Sequence, residues 1–227
     1  MEKKYKIIED PKFGYLRADP IPSPEELEIY YREEFYSPKP FNDSSLEVQK
    51  DGQEYYDSRW DGIYERCKSI LKKDKFTVFD IGFGYAQALL YFDSKGLEVS
   101  GLEPSPEGVQ YARSKGLEVY EAGIDDFTVT KGRRFDVVMM LNVLEHLSHP
   151  QDTLRSIQEN LLNPDGIVVI EVPNEFNDFQ TSAVAEHGLE EWWVCPPHHL
   201  NYFSSSSLKA LLEKCDYEVE HMQGSFP

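Results

Sequence analysis

The sequence predicts an α/β protein built on a doubly wound, mostly parallel sheet. From residue 76 onward short apolar runs alternate with helix-like segments. The breaks between them fall mostly at glycine or proline, and a glycine-rich turn directly follows the first run. Strands buried on both faces read as continuous apolar runs, and parallel neighbours need a crossover helix between them.

The first strand is Phe76 to Ile81, bounded by Gly82. Ala86 to Lys95 reads as a helix stopped by Gly96, and Glu98 to Glu103 as the second strand. Pro106 to Lys115 is the next helix, with proline in its first turn and Gly116 behind its end. Glu118 to Tyr120 gives a third strand, and Phe135 to Leu141, the most apolar run, a fourth. Pro150 to Leu162 is a helix closed by the turn Asn163-Pro164-Asp165-Gly166, and Ile167 to Val172 is a fifth strand stopped by Pro173. Residues 173–203 read as irregular and lid-like. They precede a serine-capped helix from Ser206 to Lys214 and a sixth strand near Tyr217 to His221. Residues 1–67 form a separate amino-terminal cap of helix and loop, and 68–227 the main domain. In the cap Ser23 starts a helix running towards Phe35, Pro38 and Pro40 end it, and a second helix spans Tyr56 to Leu71. Tyr30, Tyr31, Phe35 and Tyr36 fall at helical spacing, which reads first as a packed face. Tyr36 and Tyr56 are weaker candidates for a ligand contact.

Composition narrows the function. The chain has 227 residues, 40% of them hydrophobic, enough for one sizeable core. No run approaches the roughly 18 consecutive apolar residues of a membrane helix, and no secretory signal opens the chain. Three scattered cysteines (Cys67, Cys195, Cys215) form no disulfide or zinc pattern and fit a cytoplasmic protein. Forty-one acidic against 23 basic residues leave a net charge of −18 and no basic cluster, which disfavours a nucleic-acid substrate.

The turn Asp80-Ile81-Gly82-Phe83-Gly84-Tyr85-Ala86 lies between the first strand and the first helix, where glycines let a ligand approach the backbone. A plain structural turn is the competing reading. A dinucleotide fingerprint would place its third small residue at position 87, where this chain has Gln87; the small residue here is Ala86. Glu103, ending the second strand just before Pro104, can accept both hydroxyls of a ribose, which supports a nucleoside cofactor of either class.

The spacing Asp80-x-Gly82-x-Gly84-x-Ala86 resembles the first motif of class I S-adenosylmethionine-dependent methyltransferases, with alanine in place of a third glycine. Phe135-Asp136-Val137-Val138, Asn142 to Leu147, Pro150, and Leu161 to Gly166 follow in order, similar to the fourth-strand region of relatives of ubiquinone-biosynthesis methyltransferases. Gly14 to Pro20 and Trp192 to Ser204 look like signatures of one broad bacterial subgroup. The resemblance implies a Rossmann-like fold that binds S-adenosyl-L-methionine and releases S-adenosyl-L-homocysteine. It implies cofactor contacts at Asp80, Gly82, Phe83, Gly84, Glu103 and Pro104. It also implies an adenine-side acid at Asp125 or Asp126 beside Phe127, and pocket-lining roles for Asn142 and Val143. The class has seven strands and six are read here, so the sheet is expected to lack its last strand, with the chain cut short after the sixth.

Methyl transfer from a sulfonium needs alignment and exclusion of water, and a base only where the acceptor must lose a proton. His146, just beyond the fourth strand, is the first candidate base and His199 the second; a turn-forming role for Glu145-His146 weighs equally. Trp192, Trp193, His198 and Tyr202 are candidate acceptor contacts, although the tryptophan pair reads more readily as a packed cluster. No metal is expected, because Asn142 stands where the quinone-type relatives would need an acid. The expectation is O-methylation of a small molecule. The rivals are a nicotinamide-dependent oxidoreductase, against which Gln87 and the Asn142-to-His146 block argue, and a binding module that takes up the cofactor without turnover. Neither acceptor nor oligomeric state is written in the sequence.

Overall fold

A computed structural model describes residues 5–30 and 53–224. The chain divides into two compact units, one of residues 38–141 and 156–170, the other of 1–37, 142–155 and 171–227.

The first unit carries the parallel sheet. Its elements are α2 (Gln53–Leu71), β3 (Thr77–Ile81), α3 (Gln87–Ser94), β4 (Glu98–Glu103), α4 (Pro106–Ser114), β5 (Glu118–Glu121), β6 (Phe135–Leu141) and most of β7 (Leu162–Glu171). The strand order is β5-β4-β3-β6-β7. Asp80 pairs with Gly101 on one side and Met139 on the other, both in parallel register. Successive strands build outward from β3 first to one side and then to the other. The carboxyl ends of β3 and β6 therefore flank the point where the order reverses, and ligands of open α/β sheets bind there. The apolar runs fill the core: Val78, Phe79, Ile81, Leu102, Phe135, Val137 and Met139 are buried. At the opposite end of the sheet the Asp136 carboxylate accepts hydrogen bonds from the Thr77 N–H (3.0 Å), the Lys73 ammonium (2.9 Å) and the Asn163 amide (3.3 Å). α4 starts as its sequence predicts, with Ser105 as cap and Pro106 in the first turn.

The second unit has a three-stranded antiparallel sheet, β1 (Lys6–Glu9), β2 (Leu16–Asp19) and β8 (Asn201–Tyr202), in that order. It also holds α1 (Pro24–Tyr30), a 3-10 turn (Leu144–His146), the first part of α5 (Pro150–Asn160), α6 (Asp178–His187) and α7 (Ser205–Lys214). Tyr15 packs on Phe203 with ring centroids 5.1 Å apart, and Ala18, Leu200 and Leu211 are buried. Ser204 and Ser207 form a reciprocal capping box that starts α7.

Four expectations change. The amino-terminal segment holds a β-hairpin as well as α1, because two four-residue strands gain their stability from β8, far along the chain. Residues 173–203 are not irregular throughout. Asn177 caps α6, accepting from Gln180 N–H at 2.9 Å. β7 begins at Leu162, so the expected turn at Asn163–Gly166 lies within the strand, with Asp165 at φ +61°. Residues 217–221 form no strand: only Tyr217 and Val219 are half-buried there, and the Tyr217 hydroxyl donates to the Leu154 carbonyl at 2.6 Å. Tyr31, Phe35, Tyr36, Pro38 and Pro40 lie outside the described residues.

Candidate functional site

The glycine turn is built almost wholly from backbone. Gly82 and Gly84 both have positive φ, at 72° and 54°, and Ala86 follows at 57°. The left-handed backbone there costs glycine nothing and alanine about 1–2 kcal/mol. Gly82 N–H donates to the Leu102 carbonyl at 2.8 Å, and Ala86 N–H to the Phe83 carbonyl at 2.8 Å. Glu103, 4% exposed, accepts from Gly84 N–H through one oxygen (2.9 Å) and from Ser105 N–H through the other (2.8 Å). Its carboxylate thus fixes the turn against the end of β4, and an ionised carboxylate is an acceptor with about four lone-pair sites in all. Behind it a Cβ on Gly108 would stand 2.4 Å from the Gly84 carbonyl oxygen, so only glycine lets α4 approach the turn this closely.

The neighbouring acids separate by environment. Asp80 is buried at the end of β3, and desolvation together with the Glu103 charge pushes its pKa well above the usual carboxylate range. Asp126 caps the short 3-10 turn Phe127–Thr130 through Thr128 N–H, and Phe127 is buried in packing. Asp125 and Pro104 are exposed, as is Asn142, which follows β6 at φ +55° and donates its N–H to the Glu171 carbonyl. Val143 is buried.

The second unit gathers three histidines. His146, His198 and His199 have ring centroids 4.7–5.1 Å apart. His146 Nδ1 lies 2.6 Å from the His198 carbonyl, so that nitrogen carries the proton and donates. His199 Nδ1 lies 2.7 Å from Glu175 Oε1 and donates to it. Burial, with the two neighbouring imidazoles adding to it, pushes the His146 pKa down to about 3 against the opposing bond from the His198 carbonyl. Glu145, 1% exposed, is pushed up to about 8 by burial, helped by Glu175 and Glu171.

Asn201 holds the cluster together. Its buried amide donates to the Leu147 carbonyl (2.7 Å) and the Leu144 carbonyl (3.2 Å), while Leu200 N–H donates to the Glu145 carbonyl (2.8 Å). The Tyr202 hydroxyl donates to the His199 carbonyl at 3.0 Å. Glu175, Phe176 and Tyr202 line a cavity of about 100 Å³, completed by Gly14, Leu16, Ser204 and Ser207. Trp193 is buried edge-to-face on Phe176, whereas Trp192 is 54% exposed. Tyr56 stacks on Trp60, a packing role. Sequence reasoning missed Glu175 and Asn201. Neither stands in a spacing that marks it, although Asn201 adjoins the His198-His199 pair.

A family model described as a methyltransferase domain matches residues 52–222. The chain belongs to this methyltransferase family. It is 26% identical over 165 residues to a ubiquinone biosynthesis O-methyltransferase of Azorhizobium caulinodans, a match covering 70% of this chain and 65% of that relative. The chain therefore spans just under two thirds of that relative's length. Among solved structures it resembles the plantazolicin methyltransferase in complex with a monoazolic desmethylPZN analogue and S-adenosylhomocysteine. The TM-score is 0.62 at 17% identity, covering 82% of this chain and 72% of that one. It also resembles the 1,6-didemethyltoxoflavin-N1-methyltransferase of Burkholderia thailandensis, with a TM-score of 0.55 at 18% identity over 94% and 88% of the two chains. The fold is the Rossmann-like fold of class I S-adenosylmethionine-dependent methyltransferases. None of these similarities favours the nicotinamide reading.

Proposed function

We propose that this chain transfers the methyl group of S-adenosyl-L-methionine to an oxygen of a small-molecule acceptor and releases S-adenosyl-L-homocysteine. The observation that carries the cofactor half is the turn at the sheet's switch point, with left-handed residues at the alternate positions Gly82, Gly84 and Ala86, braced by Glu103. A carboxylate held in place by two N–H groups at a strand end is pre-aimed to accept ribose hydroxyls. Asp80, Gly82, Phe83, Gly84 and Pro104 complete the methionine and ribose side of this reading, and the family resemblance adds Asn142 and Val143 to the cofactor contacts. Asp125 or Asp126, beside the buried Phe127, is the adenine-side acid of this reading.

The O-methyltransferase names of the relatives support oxygen as the acceptor atom. Loss of the acceptor proton falls to His199 in preference to His146. Glu175 holds the His199 Nδ1–H and leaves Nε2 as the basic nitrogen, the arrangement in which an acid orients a general base. A pKa near 3 makes His146 a weak proton acceptor at neutral pH. Trp192 and His198 are the acceptor contacts of this reading, with the buried Trp193 packed on Trp192 and the buried Tyr202 bonded to the His199 carbonyl. Net charge of −18 argues against nucleic acid, and no helix among the described residues is long and apolar enough to cross a membrane. Three free thiols fit a cytoplasmic setting.

Titration calorimetry with S-adenosylmethionine, S-adenosylhomocysteine and NAD tests the cofactor half. Both sulfur compounds should bind at one site per chain and NAD should give no heat. Tight NAD binding with no response to either sulfur compound would overturn the proposal.

A further inference from the structure

We propose that His146, His198 and His199 form a binding site for one divalent transition-metal ion of the imidazole-preferring kind, with zinc as its best occupant. The three ligating nitrogens all lie within 4.8 Å of one another. A triangle of that edge puts each nitrogen about 2.8 Å from its centre, so closing by about 0.7 Å brings all three to the ~2.1 Å of a zinc–imidazole bond.

Two of the rings are oriented for this. The bonds from His146 Nδ1 to the His198 carbonyl and from His199 Nδ1 to Glu175 place the proton on Nδ1 in each, which makes Nε2 the nitrogen that carries the lone pair. A carboxylate bonded to the far nitrogen of a ligating imidazole is the common second support of zinc sites; it fixes the ring and makes it a better donor. The backbone is oriented as well. His198 N–H donates to the Cys195 carbonyl, and Leu200 N–H ties the same segment to Glu145.

The charge around the cluster gives a second, independent argument. Glu145 and Glu175 are 1% and 5% exposed, and in each the Oε2 atom has no hydrogen-bond partner among the described residues. Their ion-pair contacts are to histidine alone, His146 at 3.7 Å and His199 at 2.7 Å, with no Lys or Arg partner among the described residues. Two carboxyl groups buried without a cationic partner are costly to ionise, and a doubly charged ion among three neutral imidazoles would offset that cost. Glu145 Oε1, already 3.7 Å from His146 Nε2, stands within reach of the fourth coordination position. The donor set selects the metal: three imidazoles favour zinc, cobalt, nickel or copper, whereas magnesium and calcium take oxygen cages. The expectation of no metal considered a different set, in which Asn142 fails as the required acid. His198 and His199 replace what that set lacks.

With the ion in place the His199 Nε2 lone pair is shared with it, so the base role proposed above belongs to the metal-free protein. Ion binding itself rests on nothing in the methyl-transfer reading and is measured without cofactor or acceptor. The full chain is stripped with chelator, exchanged into buffer and titrated calorimetrically with zinc chloride, magnesium chloride and, in a spectrophotometer, cobalt chloride. One zinc per chain should bind with a Kd on the order of micromolar or tighter. Cobalt should give the visible absorption of a tetrahedral nitrogen–oxygen site, and magnesium should give no heat. His198→Ala should weaken zinc at least about tenfold. Glu175→Gln, which keeps the shape of the site, should weaken it about tenfold through the second support. His221→Ala, on the exposed tail, should leave it unchanged. Absence of a stoichiometric zinc site in the wild-type protein would overturn the proposal even if S-adenosylmethionine binds normally. Zinc binding that survives both His198→Ala and Glu175→Gln at full strength would overturn it too. A zinc site in a protein that ignores S-adenosylmethionine would keep this inference and remove the methyl-transfer reading.

Discussion

In the unit of residues 38–141 and 156–170 the candidate cofactor site is made of main chain. Its shape follows from positive φ at Gly82, Gly84 and Ala86, from close approach at Gly108, and from one carboxylate bonded to two N–H groups. In the unit of residues 1–37, 142–155 and 171–227 the candidate chemistry is made of side chains drawn from three separate stretches. His146 comes from one, Glu175 from another, and His198 and His199 from a third. A main-chain site is specified by residue types in one local run, so it tolerates little substitution and shows plainly in sequence. A side-chain cluster is specified by tertiary assembly, and its members can be exchanged one at a time with separable effects.

The largest expected effect breaks the side-chain half alone. With metal kept out by chelator, His199→Ala should lower turnover by about 100-fold, about 2.7 kcal/mol of barrier, while calorimetric affinity for S-adenosylmethionine stays at the wild-type value. Unaltered turnover would return His199 to a purely structural role. Next, Glu103→Ala should weaken cofactor binding by more than tenfold and lower the urea midpoint. It strands the buried Ser105 N–H, at about 1–3 kcal/mol, and removes the acceptor of the part-buried Gly84 N–H, besides losing the ribose contact. A variant with normal affinity would exclude the carboxylate from the cofactor site.

Gly108→Ala sets two effects against each other. Alanine favours a helix interior by about 1 kcal/mol. Overpacking against the Gly84 carbonyl, 2.4 Å from the new Cβ, costs about 1–3 kcal/mol. The clash should win by about 1 kcal/mol, read as a lower denaturation midpoint and a weaker cofactor site. A stabilised variant would mean that α4 slides freely.

The smallest effect is a pH dependence at Asp80. Its folded-state pKa is raised by burial and by Glu103, so the folded chain holds this proton more tightly than the unfolded chain. The stability contributed is complete below the unfolded value near 3.8 and is lost as pH rises from there through the folded pKa. Asp80→Asn does not ionise. Its melting temperature relative to wild type should therefore be higher at pH 8 than at pH 5, and an equal offset at both would contradict the assignment.

The same contrast governs what could be read from sequence. β3, β4 and β6, the turn after β3 and the start of α4 were legible, because burial, glycine spacing and proline placement act within a few residues. Glu103 was legible by its place at a strand end, although its bonds to Gly84 and Ser105 were not. The amino-terminal hairpin was missed: its two short strands pair with each other and with residues 201–202, which no local pattern announces. The expected strand at Tyr217–His221 had the alternation but no neighbour to pair with among the described residues. Glu175 and Asn201 escaped notice for the same reason. Their roles exist only once the chain has brought residues 144–147 and 175 to 198–201.

Asn201 has a consequence for motion. One buried amide and the adjoining Leu200 N–H tie the stretch after the histidine pair to the carbonyls of the 144–147 turn. Residues 198–203 therefore cannot swing out as a free flap without rupturing that turn. Amide exchange at Leu200 and at His146 should report a single shared opening, which Asn201→Ala would split in two. Phe179, Leu189 and Trp192, in the stretch from α6 to Trp192, lie exposed and take no part in the bonds that Asn201 and Leu200 make.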